Sequence, residues 1–234
     1  MIHLLWTTIR IKTFLRTLSV WKNKAENPVS FRLVLAINDD TSEEEKTKLL
    51  EELNNLQINF NVILTDHTKK GVAFHSRQLA LQLRHLEEKN MNDIVIFGSD
   101  DFFPPQHWDS ILEKEFKDYS GCIIFNDLNK NTVVNTVQIP IMTLDTLRKL
   151  NYIIYHPAYK HFHSDVELYD VLDELKLVKD ISETSPEIIF EHRHYTNGRR
   201  RLDDNDHLVR SFSAEDRQLY LERKNLSLEE KLKV

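Results

Sequence analysis

Glycine is scarce in this chain, with four residues in 234. Neither G-x-G-x-x-G nor G-x-x-x-x-G-K occurs, so the loops that wrap phosphates in backbone amides are missing. That sets aside a Rossmann dehydrogenase and a P-loop ATPase. Any phosphate bound here would be met by side chains and a metal. Cysteine is scarcer still. The lone Cys122 excludes an internal disulfide, and its place in the apolar run "CIIF" marks a buried, inert thiol. A chain built without disulfides suits a reducing cytoplasm. An excess of basic charge is missing too: 31 Lys and Arg against 37 Asp and Glu leave a net charge of −6. That balance argues against a general nucleic-acid binder. No apolar run approaches the ~18 to 20 residues that span a bilayer. The opening "MIHLLWTTIRIK" lacks a charged leader and a small-residue cleavage site, and Arg10, Lys12 and Arg16 interrupt it early. A soluble, unprocessed protein is expected.

What the chain does contain is short apolar runs alternating with helical patterns. "IHLLW", "FRLVLAI" (Phe31 to Ile37), "NFNVILTD", "DIVIFG" and "GCIIFND" read as strands. Helices are predicted around Thr13 to Lys24, over "TSEEEKTKLLEELNNL" behind a Thr/Ser cap, and over Phe74 to Lys89 with Leu79, Leu83 and Leu86 on one face. Near-continuous Val/Ile/Leu strands between helices predict an α/β fold with a mainly parallel central sheet flanked by helices. After Leu128, "TVVNTVQIPIMTLDTLRKLNYI" predicts a strand or two and a short helix, and "HSDVELYDVLDELKLV" a helix. "PEIIFEHRHY" predicts a further strand, and Ser213 opens a helix with a charged tail. With no repeat and no low-complexity linker, one domain over 1–234 is expected.

Three of the strands end in carboxylates: Asp39 and Asp40, then Asp66, then Asp100 and Asp101. Open α/β sheets bind ligands outside the carboxyl ends of their strands. In "DIVIFGSDDFFPPQHWDSIL" two adjacent acids follow an apolar strand and precede aromatics and prolines. Such a pair can be a solvated turn or a helix cap. Held on a rigid strand end, it is tolerable when a divalent cation neutralises it. Mg²⁺ and Mn²⁺ take one or two protein carboxylates and leave the remaining positions to substrate phosphates. His192 and His194 in "FEHRHY" stand two apart on a predicted strand and face one side. Either could join Asp101 on a cation, or both could be surface histidines beside Arg193 and Arg199 to Arg201. Asp165 and Glu167 open a predicted helix, as caps or as a general base facing a cleft. Arg10 after the first strand and Arg77 early in the third helix suit a diphosphate or a base edge.

Taken in order from about Ile2 to Arg223, these segments resemble GT-A fold glycosyltransferases, family 2-like nucleotide-sugar transferases in particular. "SDD", two aromatics, proline and "WD" resemble their Asp-x-Asp region, and "LLWTTIR" their first strand and Thr-x-Arg loop. "VLAINDD" is similar to the strand with a base- or ribose-binding Asp, and "HSRQLALQL" to the helix with a nucleotide-contacting Arg. "HSDVELYDVL" resembles the acceptor-side region that carries the base, and "EHRHYTNGRRRLDD" the late histidine motif. The resemblance implies a nucleotide-binding half (1–128), an acceptor and metal half (129–212), and a small C-terminal helix and tail (213–234). It implies Mn²⁺ or Mg²⁺ and a nucleoside-diphosphate sugar, a UDP-sugar first, as donor to a glycan or other hydroxyl acceptor. Asp101 would hold the metal, with Asp100 on the ribose or the metal shell and His192, or else His194, as second ligand. Thr7 or Thr8, Arg10, Asp39 or Asp40, and Arg77 would hold the nucleotide, and Trp108 would pack the donor loop or face the acceptor. Asp165 would be the base, with Glu167 as its substitute, in an inverting hexosyltransferase-like reaction. The chain departs from the pattern in carrying Ser-Asp-Asp for a strict Asp-x-Asp and Ser164 where many inverting members have Glu. The rival readings are a metal-dependent nucleotidyltransferase or phosphoesterase, and a non-catalytic sugar-nucleotide-binding module.

Overall fold

The computed structural model describes residues 1–66, 68, 71–86, 90–128, 135–193, 207 and 210–234. Strands β1 (Ile2–Thr7), β2 (Phe31–Asn38), β3 (Asn59–Thr65) and β4 (Ile94–Gly98) lie parallel in the order β3-β2-β1-β4. Each falls on a run read from the sequence, with β1 and β2 one residue longer than the run. Their side chains alternate between two cores, as a two-residue period requires. Leu4, Trp6, Leu33, Leu35 and Ile96 enter one core. Leu5, Val34, Ala36, Val95 and Phe97 enter the other. Burial on both faces explains why these strands are apolar at nearly every position.

Helices α1 (Ile11–Lys24), α2 (Glu43–Asn55) and α4 (Trp108–Phe116) cover the first face. Helices α3 (Val72–Leu81), α5 (Leu144–Lys149) and α6 (Ser164–Glu174) cover the second. The start of α2 is written locally: Ser42 and Glu45 form a reciprocal capping box. Helix α3 is shorter than the predicted Phe74 to Lys89. After Leu81 the backbone tightens into three-residue turns, with Leu83 N–H donating to Ala80 and Leu86 N–H to Leu83. Lys89 lies outside the described residues.

Beyond β4 the sheet continues through β7 (Ile141–Thr143), β6 (Cys122–Ile124) and β8 (Val178–Asp180). Strand β7 runs antiparallel to both β4 and β6, while β6 and β8 pair in parallel. A separate ribbon pairs β5 (Phe102–Phe103) with β9 (Glu191–His192), placing Phe102 opposite His192. The predicted strand "PEIIFEHRHY" thus contributes only two residues of regular strand among those described. Cys122 is fully buried in β6, and burial pushes its thiol up to about 12. Helices α7 (Ser213–Arg223) and α8 (Leu228–Lys231) close the chain against α6.

Candidate active site

The end of β4 organises the site. Gly98 lies under the Trp6 ring, and a Cβ there would sit 2.5 Å from Trp6 Cε3. The close approach lets the indole reach past β4, where Trp6 Nε1 donates to Asp100 Oδ1 at 3.0 Å. Asp100 Oδ2 accepts from Thr8 Oγ1 at 3.1 Å and from Arg10 Nε at 3.2 Å. Burial raises the Asp100 pKa, and the donors from Trp6, Arg10 and Thr8 work against that rise. Asp100 therefore brackets the β1–α1 loop. Both its oxygens are turned to these donors.

The loop so held lines a cavity of about 430 Å³, with Thr8, Arg10 and Lys12 on one side and Asn38, Asp40 and Glu45 on the other. Of the pairs left open by the sequence, Thr8 and Asp40 line this cavity. Thr7 and Asp39 do not line it, and Asp39 N–H donates to the Thr65 carbonyl of β3. Arg77 is not among its lining residues either. It lies near enough to His156 to help lower that imidazole's pKa, behind burial as the main cause.

Asp101 points to different partners from those of its neighbour. Its Oδ1 accepts from Ser99 Oγ at 2.7 Å, and its Oδ2 lies 3.6 Å from His192 Nε2. The backbone locks this pairing, since Arg193 N–H donates to the Asp101 carbonyl and His192 N–H to the Asp127 carbonyl. His192 Nδ1 lies 2.8 Å from Gln138 Oε1. The Gln138 amide so fixes the orientation of the ring and turns Nε2 toward Asp101. A carboxylate oxygen and an imidazole nitrogen are ligand types that Mn²⁺ accepts. Orientation of a ligating histidine through its other nitrogen is the usual support for such a site. Among the described residues no group of three or more His, Cys, Asp or Glu could hold a metal. His194 lies outside the described residues.

Asp165 occupies the first turn of α6, half-buried, and its carbonyl accepts from Val137 N–H at 3.2 Å. Burial raises its pKa, and backbone N–H groups of Asp165 and Val166 and the charges of His163 and His192 oppose the rise. Glu167 is different. Arg223 grips its carboxylate through Nε and Nη2, the latter at 2.7 Å, and Tyr159 donates to Oε2. The pair is buried, so Glu167 joins α6 to α7 and is corrected as a substitute base. Trp108 is corrected as well: fully buried, it donates to the Trp21 carbonyl at 2.8 Å and packs edge-on against that ring. Next to it, Asp109 accepts from Glu26 and Asn27 N–H. The "WD" pair is a staple of the fold.

Sequence reasoning missed three contributors. Trp6 braces Asp100, Gln138 orients the His192 ring, and Asp216 of α7 accepts from the N–H groups of Lys160, His161 and Phe162 just before α6. None belongs to a recognisable spacing.

The sequence matches no protein-family model and no curated protein. Solved structures do match in fold. The mannosyltransferase PcManGT from Pyrobaculum calidifontis, in complex with GDP-Man and Mn²⁺, superposes with a TM-score of 0.59 at 11% identity over 82% of this chain and 56% of that one. Residues 1–349 of S. aureus TarS superpose with a TM-score of 0.54 at 16% identity, over 78% of this chain and 58% of that one. The chain thus spans a little over half the length of these two structures. Its fold is that of GT-A-type glycosyltransferases, a mostly parallel central sheet flanked by helices.

Proposed function

We propose that this chain is a metal-dependent glycosyltransferase that moves a sugar from a nucleoside-diphosphate sugar, a UDP-sugar first, to a hydroxyl acceptor with inversion. One observation carries the reading: Asp101 Oδ2 and His192 Nε2 face each other across 3.6 Å at the end of the central sheet, with Gln138 holding the far side of the imidazole. Asp101 and His192 would hold Mn²⁺ or Mg²⁺, which offsets the charge that builds on a departing diphosphate. The GDP-Man and Mn²⁺ bound by PcManGT support a donor and metal of that kind.

The protein's own groups have distinct tasks in this reading. Thr8, Arg10 and Asp40 receive the nucleotide in the cavity they line, and Asp100 keeps that loop in place. Asp165 takes the proton from the acceptor hydroxyl, a task favoured by a carboxylate pKa raised toward neutrality. The division into halves at 128 and 212 follows the same reading, the C-terminal helices serving as a buttress. Among the described residues no helix is long and apolar enough to cross a membrane, and a lone buried thiol is consistent with a cytoplasmic site of action.

The test is thermal stabilisation by UDP, GDP, dTDP and CMP, each with and without Mn²⁺, in the wild type and in Asp101→Ala. A nucleotide at a hundred times its Kd adds about 2.7 kcal/mol, or roughly 5–10 °C in a domain of this size. The manganese-dependent part should vanish in Asp101→Ala. Stabilisation that ignores both manganese and the substitution refutes the metal site, and none by any of the four refutes the donor reading.

A further inference from the structure

Helix α7 turns one face to the start of α6. Asp216, Tyr220 and Arg223 stand at the spacing that aligns side chains along a helix, and each is bonded to α6 or to the residues just before it. Arg223 holds Glu167. Tyr220 donates to Asp170 Oδ2 at 3.0 Å, and its ring stacks on that of His163, with centroids 5.5 Å apart and planes inclined by 13°. Asp216 reaches deepest, at 2% exposure. Its Oδ1 accepts from Lys160 N–H at 3.0 Å, and its Oδ2 from His161 N–H at 2.8 Å and Phe162 N–H at 2.7 Å.

Successive backbone donors aimed at one point form an anion-binding concavity, filled here by the chain's own carboxylate. The segment is clamped from another side as well: a Cβ on Gly71, just ahead of α3, would lie 2.3 Å from the Lys160 carbonyl oxygen. It ends in His163, a non-glycine residue at φ +61°, a conformation that persists where the surroundings impose it. Ser164 Oγ then donates back to the His161 carbonyl at 3.1 Å. Asp165 follows, its own carbonyl accepting from Val137 N–H.

We propose that Asp216 is a positioning residue for Asp165: by gathering the N–H groups of residues 160–162 it fixes the turn that opens α6, so that helix α7 sets where the base stands. The proposal rests on the glycosyltransferase reading for its link to turnover, while the hold of Asp216 on the Asp165 backbone stands without it. A displacement of about 1 Å at a reacting group can cost about 10²-fold in rate, so a carboxylate that touches no substrate can still govern the chemical step.

The experiment is amide hydrogen exchange on the full chain, in the wild type and in Asp216→Ala, with sodium formate or the same concentration of sodium chloride added. Formate is a carboxylate small enough for the space the aspartate leaves. In Asp216→Ala, exchange of the Val137 N–H, bonded to Asp165, and of the Glu167 N–H, bonded to His163, should speed up about 10–100-fold. Amides of β1 and β2 should keep their wild-type rates. Formate should restore slow exchange, and chloride should not. Glu215→Ala removes the neighbouring carboxylate, which pairs with the Lys160 ammonium, and should exchange as the wild type does. Asp216→Asn keeps one acceptor oxygen and carries the same test, at smaller amplitude, where the alanine variant fails to fold.

Nucleotide release with Mn²⁺ from UDP-glucose, UDP-galactose, UDP-N-acetylglucosamine and GDP-mannose reads the chemical step. In Asp216→Ala, kcat should fall about 10²-fold at an unchanged donor KM, and formate should restore it. Faster exchange spread evenly over the central sheet, an unchanged Val137 amide, or rescue by chloride equal to that by formate overturns the proposal. So does a kcat that holds while exchange at Val137 rises. A wild type that releases nucleotide from none of these donors sinks the donor reading instead, and the exchange pattern still decides whether Asp216 holds Asp165.

Discussion

Replacing Glu167 by glutamine separates a frame role from a catalytic one. Arg223 and Glu167 are 10% and 6% exposed in their side chains. The guanidinium makes three contacts to the carboxylate and one, through Nη2, to the Lys231 carbonyl. Taking the charge from one partner leaves the other buried and uncompensated, at a cost of about 3–5 kcal/mol. Glutamine keeps one acceptor oxygen for Arg223, which favours the lower end, about 3 kcal/mol. Each kcal/mol moves the Tm of a domain this large by about 2–4 °C, so a fall of roughly 6–12 °C is expected. Replacing the whole group with apolar neighbours, Glu167→Leu with Arg223→Met and Tyr159→Phe, should return most of that loss, because a buried pair is often no better than well-packed carbon. Melting curves measure both, and nucleotide release in the cold, where every variant is folded, measures turnover. Unchanged melting with lost turnover in Glu167→Gln would make Glu167 the base and refute the assignment to Asp165.

Asp165→Asn should behave in the opposite way, losing transfer while nucleotide binding survives. Its effect on stability has a definite sign. The folded carboxyl titrates above its ordinary 3.8, so the folded chain holds that proton to higher pH than the unfolded chain does. The contribution is fully present below 3.8 and is lost as pH rises through the folded value. Asp165→Asn should therefore melt higher than wild type near pH 7 and show no gain near pH 3; the same gain at both would reject the buried-carboxylate account. Gln138→Leu removes the partner of His192 Nδ1 and should weaken Mn²⁺-dependent nucleotide binding about 10–100-fold, with the manganese titration midpoint as the readout. Cys122 should resist thiol reagents in the native protein and react on denaturation; fast labelling of the folded chain would contradict its burial.

The parallel half of the fold was legible because each strand is buried on both faces and so announces itself as an unbroken apolar run. Strand β7 lies in a segment read as a strand or two, but its direction was not legible, since three residues after Pro140 carry too little pattern to show that they run against their neighbours. Asp101 and His192 were candidates because both follow apolar strands, and the structure sets Oδ2 of the one 3.6 Å from Nε2 of the other. Asp165 and Glu167 could have been told apart: residues two apart on a helix do not share a face, so only one could look into the cleft. Trp108 was misread because spacing fixes that an aromatic follows the acids, not which way it turns. Gln138 and Asp216 act through bonds to residues 54 and about as many positions away, and nothing local marks such partners.

Asp100 and Asp101 were first a single acidic motif and are now two residues with their backs to each other. One is tied to the loop lining the nucleotide cavity, the other faces the proposed cation, and only a peptide unit of about 3.8 Å between Cα atoms separates them. That unit is a ruler. The separation of the two subsites is written in covalent geometry, where packing defects and thermal loosening of the surrounding helices have least purchase. Inserting a single residue here would lengthen the ruler while leaving every side chain of the site in the sequence.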